Sequence, residues 1–362
     1  MTITLLIIVC TTNFILCRQL NSKSDAIRVK NFYRLEKNSL DMLFIGASTA
    51  FTDYSAPLAW KEFGYTSYSF ATNMAPMGIA KSMLIEARKS QNPKVFVIDI
   101  NGILYDDTLE DREGAKRLWI DNMPLSKNKI DTIKELVSKD ERLAYYIPLL
   151  KYHSNWTDFF ECLDVSIEEC TNTDYVNLSS LGIQGSTKVE PQRNYVNIKE
   201  YTQTLPMHHL SGQHLKELLE YCKSENLQNV IFTNMPRYYS TEMLPERGRN
   251  NAAKELIKEY GYECLDMDDY VDEIGLDPEI DFYNQNHLNL YGQKKLTIFL
   301  GNLLNERFQL SNNRHDKNIC ERFNQEYDSY TKIYNLFDAQ IKNGKQLSYN
   351  FDVIKDVLEN GR

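Results

Sequence analysis

Two short polar segments hold the residues best suited to chemistry in this chain of 362 residues. The first is Gly46-Ala47-Ser48, which closes the apolar run MLFIG at 42–46. The second is DFYNQNHLNLYG at 281–292, which carries Asp281, Asn284, His287, Asn289 and Gly292. A serine hydroxyl is a poor nucleophile near neutral pH until a neighbouring base takes its proton. His287 is suited to that role, because an unperturbed imidazole titrates near pH 6.5. Two further segments are rich in small and amide residues: Ala71-Thr72-Asn73 after Phe70, and Asp99-Ile100-Asn101-Gly102 after Ile98. Acyl transfer develops negative charge on a carbonyl oxygen, so fixed N–H donors beside the nucleophile have large effects on rate. Backbone N–H groups at Ala47 or Ser48, one near Ala71–Asn73, and the Asn101 amide are the candidate donors.

These groups act together only if the fold brings them to one place. Apolar runs at 42–46, 66–70, 94–98, 228–233 and, more weakly, 262–265 alternate with helical stretches at 77–89, 211–223 and 251–260. That alternation predicts an α/β fold, a parallel sheet covered by helices on both faces, in which ligands meet the carboxyl ends of the strands. Ser48, Ala71 and Asn101 each follow such a strand. The rhythm breaks at 105–206, where helical segments at 130–138 and 142–152 lead into the loop-like LSSLGIQGSTKVEPQRNY; this reads as an insertion forming a lid or substrate wall. Within or beside it His153, Trp156 and Arg193 could line a sugar site, and Arg237 after Pro236 could meet an anionic group. Near the end, 316–342 predicts a long helix. Its Phe323, Tyr327, Tyr330, Tyr334 and Phe337 recur on one stripe that should pack on the main domain.

Composition narrows the function class. Forty-one Lys and Arg against fifty Asp and Glu give a net charge of −9, and no long basic cluster is present, which argues against nucleic acid as a partner. No phosphate-cradling glycine loop of either common type occurs. The histidines 208, 209 and 214 lack companion ligands, so no metal or other cofactor is expected. The seven cysteines form no CxxC pair; Cys162 and Cys170 could pair locally in an oxidising compartment. The uncharged stretch from Thr2 to Cys17 fits a signal anchor or transmembrane segment, although sixteen helical residues span only about 24 Å. The bulky Ile15 and Leu16 before Cys17 speak against lipoprotein cleavage. The expected organisation is an anchor at 1–17, a charged connector at 18–40, the α/β domain at 41–306 with its insertion, and a helical extension at 307–362.

Taken in order, Gly46-Ala47-Ser48, Ala71, Asn101 and the His287-Leu-Asn289-x-x-Gly292 block resemble the SGNH (GDSL-like) hydrolase superfamily over about residues 40–306. The FIGAS opening, the KVFVIDI strand and the HLN-x-x-G block look most like its bacterial cell-envelope members, similar to the proteins that work beside membrane-bound O-acyltransferases in alginate acetylation or teichoic-acid D-alanylation. The resemblance implies a flavodoxin-like three-layer α/β/α sandwich and an acyl-serine intermediate at Ser48. It also implies a polysaccharide acceptor, a membrane-bound O-acyltransferase as donor partner, and a place at the extracytoplasmic face of the cell membrane, or secretion. An esterase acting on carbohydrate or lipid is the alternative chemistry, and a noncatalytic adaptor or glycan-binding protein the alternative class.

The chain departs from the family pattern where it matters most. The family's acid three residues before the histidine is here Asn284. An amide accepts the imidazole N–H but brings no charge, and in a serine protease the corresponding exchange costs about 10⁴ in turnover. Three outcomes follow: a Ser48–His287 dyad oriented by Asn284, Asp281 reaching the ring from six residues back, or decayed activity.

Overall fold

The computed structural model describes residues 2–20, 23–171, 189–192, 194–199 and 201–344. Five strands form one parallel sheet: β1 (Met42–Gly46), β2 (Ser67–Ala71), β3 (Val95–Asp99), β4 (Val230–Asn234) and β5 (Cys264–Asp266), in the order β2-β1-β3-β4-β5. All but the first residue of β5 are buried, which is why β1 and β3 read as near-continuous apolar runs, whereas β2, SYSFA, keeps the alternation the sequence shows. Alternate residues still face opposite ways. Leu43, Ile45, Phe70, Phe96, Ile98 and Phe232 join one core, whereas Met42, Phe44, Val95, Val97, Ile231 and Leu265 join another.

Helices Met77–Ser90 and His209–Ser224 cover the first face through Met83, Leu84, Leu215 and Leu219; Ala56–Phe63 and Leu290–Phe308 cover the second through Ala59, Leu296 and Leu300. The architecture is a three-layer α/β/α sandwich. Its strand order reverses direction at β1, so the crevice between the carboxyl ends of β1 and β3 is the topological switch point where such sheets take ligands.

Two regions differ from the sequence expectation. Within the charged connector, residues 23–32 form a packed helix: Ala26, Ile27, Val29 and Phe32 recur at helical spacing beneath a charged average. Phe32 stacks on Phe70 at 3.9 Å, and Arg28 donates to the Ala71 carbonyl at 3.2 Å. The helical half of the 105–206 insertion lies against the side of the sandwich instead of over the strand ends. Trp119 packs on Phe70 and donates its indole N–H to Ser82, while Ile133 of Lys127–Leu136 enters the first core. Among the described residues of the insertion, the return segment runs by the His287 hairpin, where Glu190 N–H donates to Phe282 and Val196 N–H to Tyr239. Residues 172–188 lie outside the described ones.

The C-terminal helix Lys317–Lys342 packs through the expected stripe, with Phe323 5.1 Å from Trp60 and Tyr330 buried; the Phe337 side chain lies outside the described ones. The apolar start forms a helix over Thr2–Leu16, and among the described residues no helix is long and apolar enough to cross a membrane. Cys170, and with it the expected pairing with Cys162, is likewise outside the described side chains.

β1 and β3 approach so closely at their ends that residue 46 has no room for a side chain. A Cβ there would sit 2.5 Å from Asp99 Cβ, which cannot swing away as the tip of a long side chain could. Gly46→Ala should therefore destabilise the protein by about 1–3 kcal/mol, the cost of overpacking a tight core. Urea unfolding of the two proteins measures this; an unchanged midpoint would contradict the close approach.

Candidate active site

Ser48 leaves β1 on the first turn of a short helix, Thr49–Thr52, and is buried. His287 leaves a two-stranded hairpin, β6 (Phe282–Asn284) and β7 (His287–Leu288), 239 residues away in sequence. Three hydrogen bonds join these distant segments. Leu288 N–H donates to the Asp53 carboxyl at 3.1 Å, Gln293 Nε2 to the Thr52 carbonyl at 2.6 Å, and Ser55 N–H to Thr297 Oγ1 at 3.0 Å. The block that resembles the family motif has its own local logic. Asn289 caps the following helix by accepting from Tyr291 and Gly292 N–H. A Cβ on Gly292 would stand 2.4 Å from the Asp281 carbonyl, so only glycine lets the loop pass over the helix.

The outcome is a Ser48 Oγ to His287 Nε2 distance of 2.7 Å. On the far side of the ring, Asn284 Oδ1 lies 3.1 Å from Nδ1. The orientation of that amide is fixed by the chain itself: Asn286 N–H donates to the same Oδ1 at 2.8 Å, which requires the oxygen and not the NH₂ to face this way. Two donors therefore converge on one acceptor, and the proton of the neutral ring is placed on Nδ1. Nε2 is left with a lone pair toward the serine hydroxyl. Tyr283 lies parallel to the imidazole at 5.3 Å and holds its plane.

Asp281 does not reach the ring. Its Oδ2 accepts from Lys295 at 2.6 Å and from Asp277 N–H at 2.7 Å, so it fastens the loop to the next helix instead. Burial, with the Arg237 guanidinium adding to it, lowers the His287 imidazole from its ordinary value to about 4. The ring is thus neutral, the form needed in a base, throughout the physiological range.

At the end of β3, the buried Asp99 carboxylate gathers the Thr49 hydroxyl at 2.5 Å and Asn101 N–H at 3.0 Å; burial raises it above the usual carboxylate range. Asn101 is buried beside it, with Nδ2 only 3.3 Å from the Tyr105 hydroxyl and a second amide proton to offer. The Ser48 backbone N–H donates to no group among the described residues. Of the candidates after β2, Ala71 pairs with Gly46 inside the sheet, and the Asn73 N–H is committed to Asp25 at 2.7 Å, with its residue exposed. Asn73 is thereby removed as a donor; a helix hidden in the charged connector supplies the carboxylate that occupies it.

Arg237 is buried next to the dyad. Its guanidinium donates to Asn286 Oδ1 at 2.9 Å and to Glu246 at 3.1 Å, and its backbone N–H to Asp268 at 2.9 Å. His153 and Trp156 lie elsewhere, on an exposed turn that packs on the N-terminal helix, where Asn155 between them donates to the Leu16 and Arg18 carbonyls. Arg193 is outside the described residues.

Sequence reasoning missed Asp53, whose carboxyl is completely buried and raised well above the usual range by that burial. Its position five residues after the serine was the available signal. His214 donates no ligand set either: it pairs with Glu110 at 2.7 Å, and that carboxylate also accepts Met77 and Gly78 N–H. Among the described residues no group of three His, Cys, Asp or Glu is placed to hold a metal ion. Comparison with protein-family models, curated proteins and solved structures gives no match to this chain.

Two outcomes test this geometry. With Nε2 as the base, kcat/KM for an activated acetyl ester follows the neutral ring, so it falls as pH drops through about 4. Arg237→Gln removes a nearby positive charge that disfavours imidazolium, so its acid limb moves upward toward 6.5. Asn284→Asp should raise kcat by about 10- to 100-fold. That is less than the 10⁴ that separates Asp from Asn in a serine protease, because the tautomer here is already correct and only the charge is gained.

Proposed function

We propose that the protein is an extracytoplasmic serine-dependent O-acyltransferase, most consistent with O-acetyl transfer to a cell-envelope or secreted polysaccharide. The observation that carries the reading is the Ser48–His287 hydrogen bond, with a properly oriented Asn284 behind the ring. The family resemblance of the sequence supplies the acceptor class and the compartment.

Ser48 Oγ attacks the acyl carbonyl while Nε2 of His287 takes its proton. The Ser48 N–H and the Asn101 amide face the oxygen that gains charge; one donor of this kind is worth about 10²–10³ in turnover. The imidazolium returns its proton to the departing oxygen, leaving acyl-Ser48 and a neutral ring. A sugar hydroxyl then gives its proton to Nε2 as its oxygen attacks the acyl-enzyme, and Ser48 recovers the proton when the ester product forms. A membrane-bound O-acyltransferase would serve as the acyl donor, and the apolar N-terminal helix would hold the protein at the membrane. No cofactor enters this scheme.

Ser48→Ala should abolish labelling by a serine-directed phosphonate probe and formation of acyl-enzyme seen by intact mass. Its thermal unfolding should stay close to that of the parent. Incubation with an acetyl-aryl ester, with and without an oligosaccharide, separates transfer from hydrolysis: acetylated sugar supports the transferase, and acetate alone an esterase. Absence of labelling in the parent protein under all conditions would instead favour a noncatalytic glycan-binding role.

A further inference from the structure

Most of the backbone donors around Ser48 are spent within the protein. After β2, Thr72 N–H donates to the Gly46 carbonyl at 3.3 Å and Asn73 N–H to Asp25 at 2.7 Å. Ala71 turns the other way: its carbonyl takes Arg28 at 3.2 Å on the outer margin of the sheet, and the N–H of a strand residue points to the same side as its C=O. After β1, the Ala47 N–H is drawn to the Asp99 carboxylate. The Ser48 N–H and the Asn101 amide remain, and Nδ2 of that amide gives one of its two protons to the Tyr105 hydroxyl at 3.3 Å.

Tyr105 is placed by the turn that carries Asn101. Residues Asn101–Leu104 form a single 3₁₀ turn, closed by Tyr105 N–H on the Gly102 carbonyl at 3.2 Å. Gly102 lies so close to the chain at 75–77 that a Cβ would stand 2.8 Å from Met77 N, which anchors the turn. Asp99 ties it to the nucleophile's own segment, since its carboxylate holds both the Asn101 N–H and the hydroxyl of Thr49, the residue after Ser48. The Tyr105 side chain is half-buried, and the charges that act on it first are those of Arg237 and Asp99. Arg237 acts on the His287 ring as well, so phenol and imidazole lie around one guanidinium. Burial pushes the Tyr105 hydroxyl up to about 12, so it keeps its proton. Its oxygen accepts from Asn101, and among the described residues no group takes its own proton. A hydroxyl that accepts one hydrogen bond becomes a stronger donor of the next.

We propose that Tyr105 is a further catalytic residue, whose hydroxyl donates a hydrogen bond to the acyl carbonyl oxygen as that oxygen becomes an oxyanion. The proton stays on the phenol throughout. The bond tightens while Ser48 Oγ adds to the carbonyl and relaxes when the carbonyl re-forms, and it does so again when the acceptor attacks the acyl-enzyme. Tyr105 thus stands in for the donor that the segment after β2 does not supply. The inference rests on acyl transfer at Ser48.

Tyr105→Phe in the full chain removes one oxygen and leaves the ring in place, so its thermal unfolding should match that of the parent. With an activated acetyl ester, kcat should fall about 10²-fold while KM stays within about twofold, because the bond is made only in the transition states. An aryl boronate, which adds to a serine as a tetrahedral anion, should lose affinity by about the same factor. Unchanged kcat and boronate affinity in a variant that still forms acyl-Ser48 overturn the role. A lowered unfolding midpoint with a raised KM and unaltered boronate affinity also overturns it, and marks Tyr105 as a packing residue. A parent chain that forms no acyl-Ser48 and binds no boronate overturns the dyad itself, and this role with it.

Discussion

The hydrogen bond from Leu288 N–H to the buried carboxyl of Asp53 is the constraint on which the site depends. Neither partner is a reacting group. The bond fixes the residue after the histidine to the fifth residue after the serine, and each is held by the stiff backbone of a short element. A carboxyl with no access to water loses far more by losing its donor than an exposed one would, so this connection resists slippage. Thr52 and Thr297 repeat the joint on either side, at Gln293 and Ser55. The 2.7 Å approach of Oγ to Nε2 follows from how the two segments are fastened rather than from attraction between the two side chains.

A second constraint acts on protons. In a triad with an acid, charge selects the tautomer of the ring; here hydrogen-bond counting does so, because the Asn286 backbone can only donate and Asn284 must answer with its oxygen. The arrangement turns the Nε2 lone pair toward Ser48 and would offer little help to an imidazolium. Arg237 adds to that deficit from nearby, so the ring stays neutral.

The layered fold was legible because buried strands leave apolar runs at 42–46, 94–98 and 228–233, an alternating one at 66–70 and a weaker one at 262–265, and the observed strands differ from these by a residue or two at most ends. Ser48, Asn101 and His287 were legible because each directly follows such a run or a distinctive polar block. Residues 23–32 were not, since their buried positions are interleaved with Lys, Asp and Arg, two of which pair with each other inside the protein: Arg28 and Asp25 at 3.0 Å. That hidden helix also explains why Asn73 failed as a donor. Asp281 and Asn284 could not be separated by spacing alone. The choice depends on Lys295, one helical turn beyond the loop, which draws the carboxylate away. Likewise, His153 and Trp156 have the composition of a sugar platform, but nothing in one sequence reveals that their turn rests on the N-terminal helix.

The sheet ends on one side at β2, whose outer backbone groups would be open to pairing with another chain. Two helices from either side of the sheet domain in sequence cover that margin. The 23–32 helix reaches it through Arg28, which binds the Ala71 carbonyl and accepts the Tyr68 hydroxyl on its own; the C-terminal helix brings Asn318 and Phe323 to a small crevice beside Ser67 and Tyr68. The opposite margin, β5, is only three residues long and offers little template. These two helices thus serve as selvedges of the fabric, and a fragment trimmed to the α/β core alone would carry a ravelled border prone to stick to its neighbours.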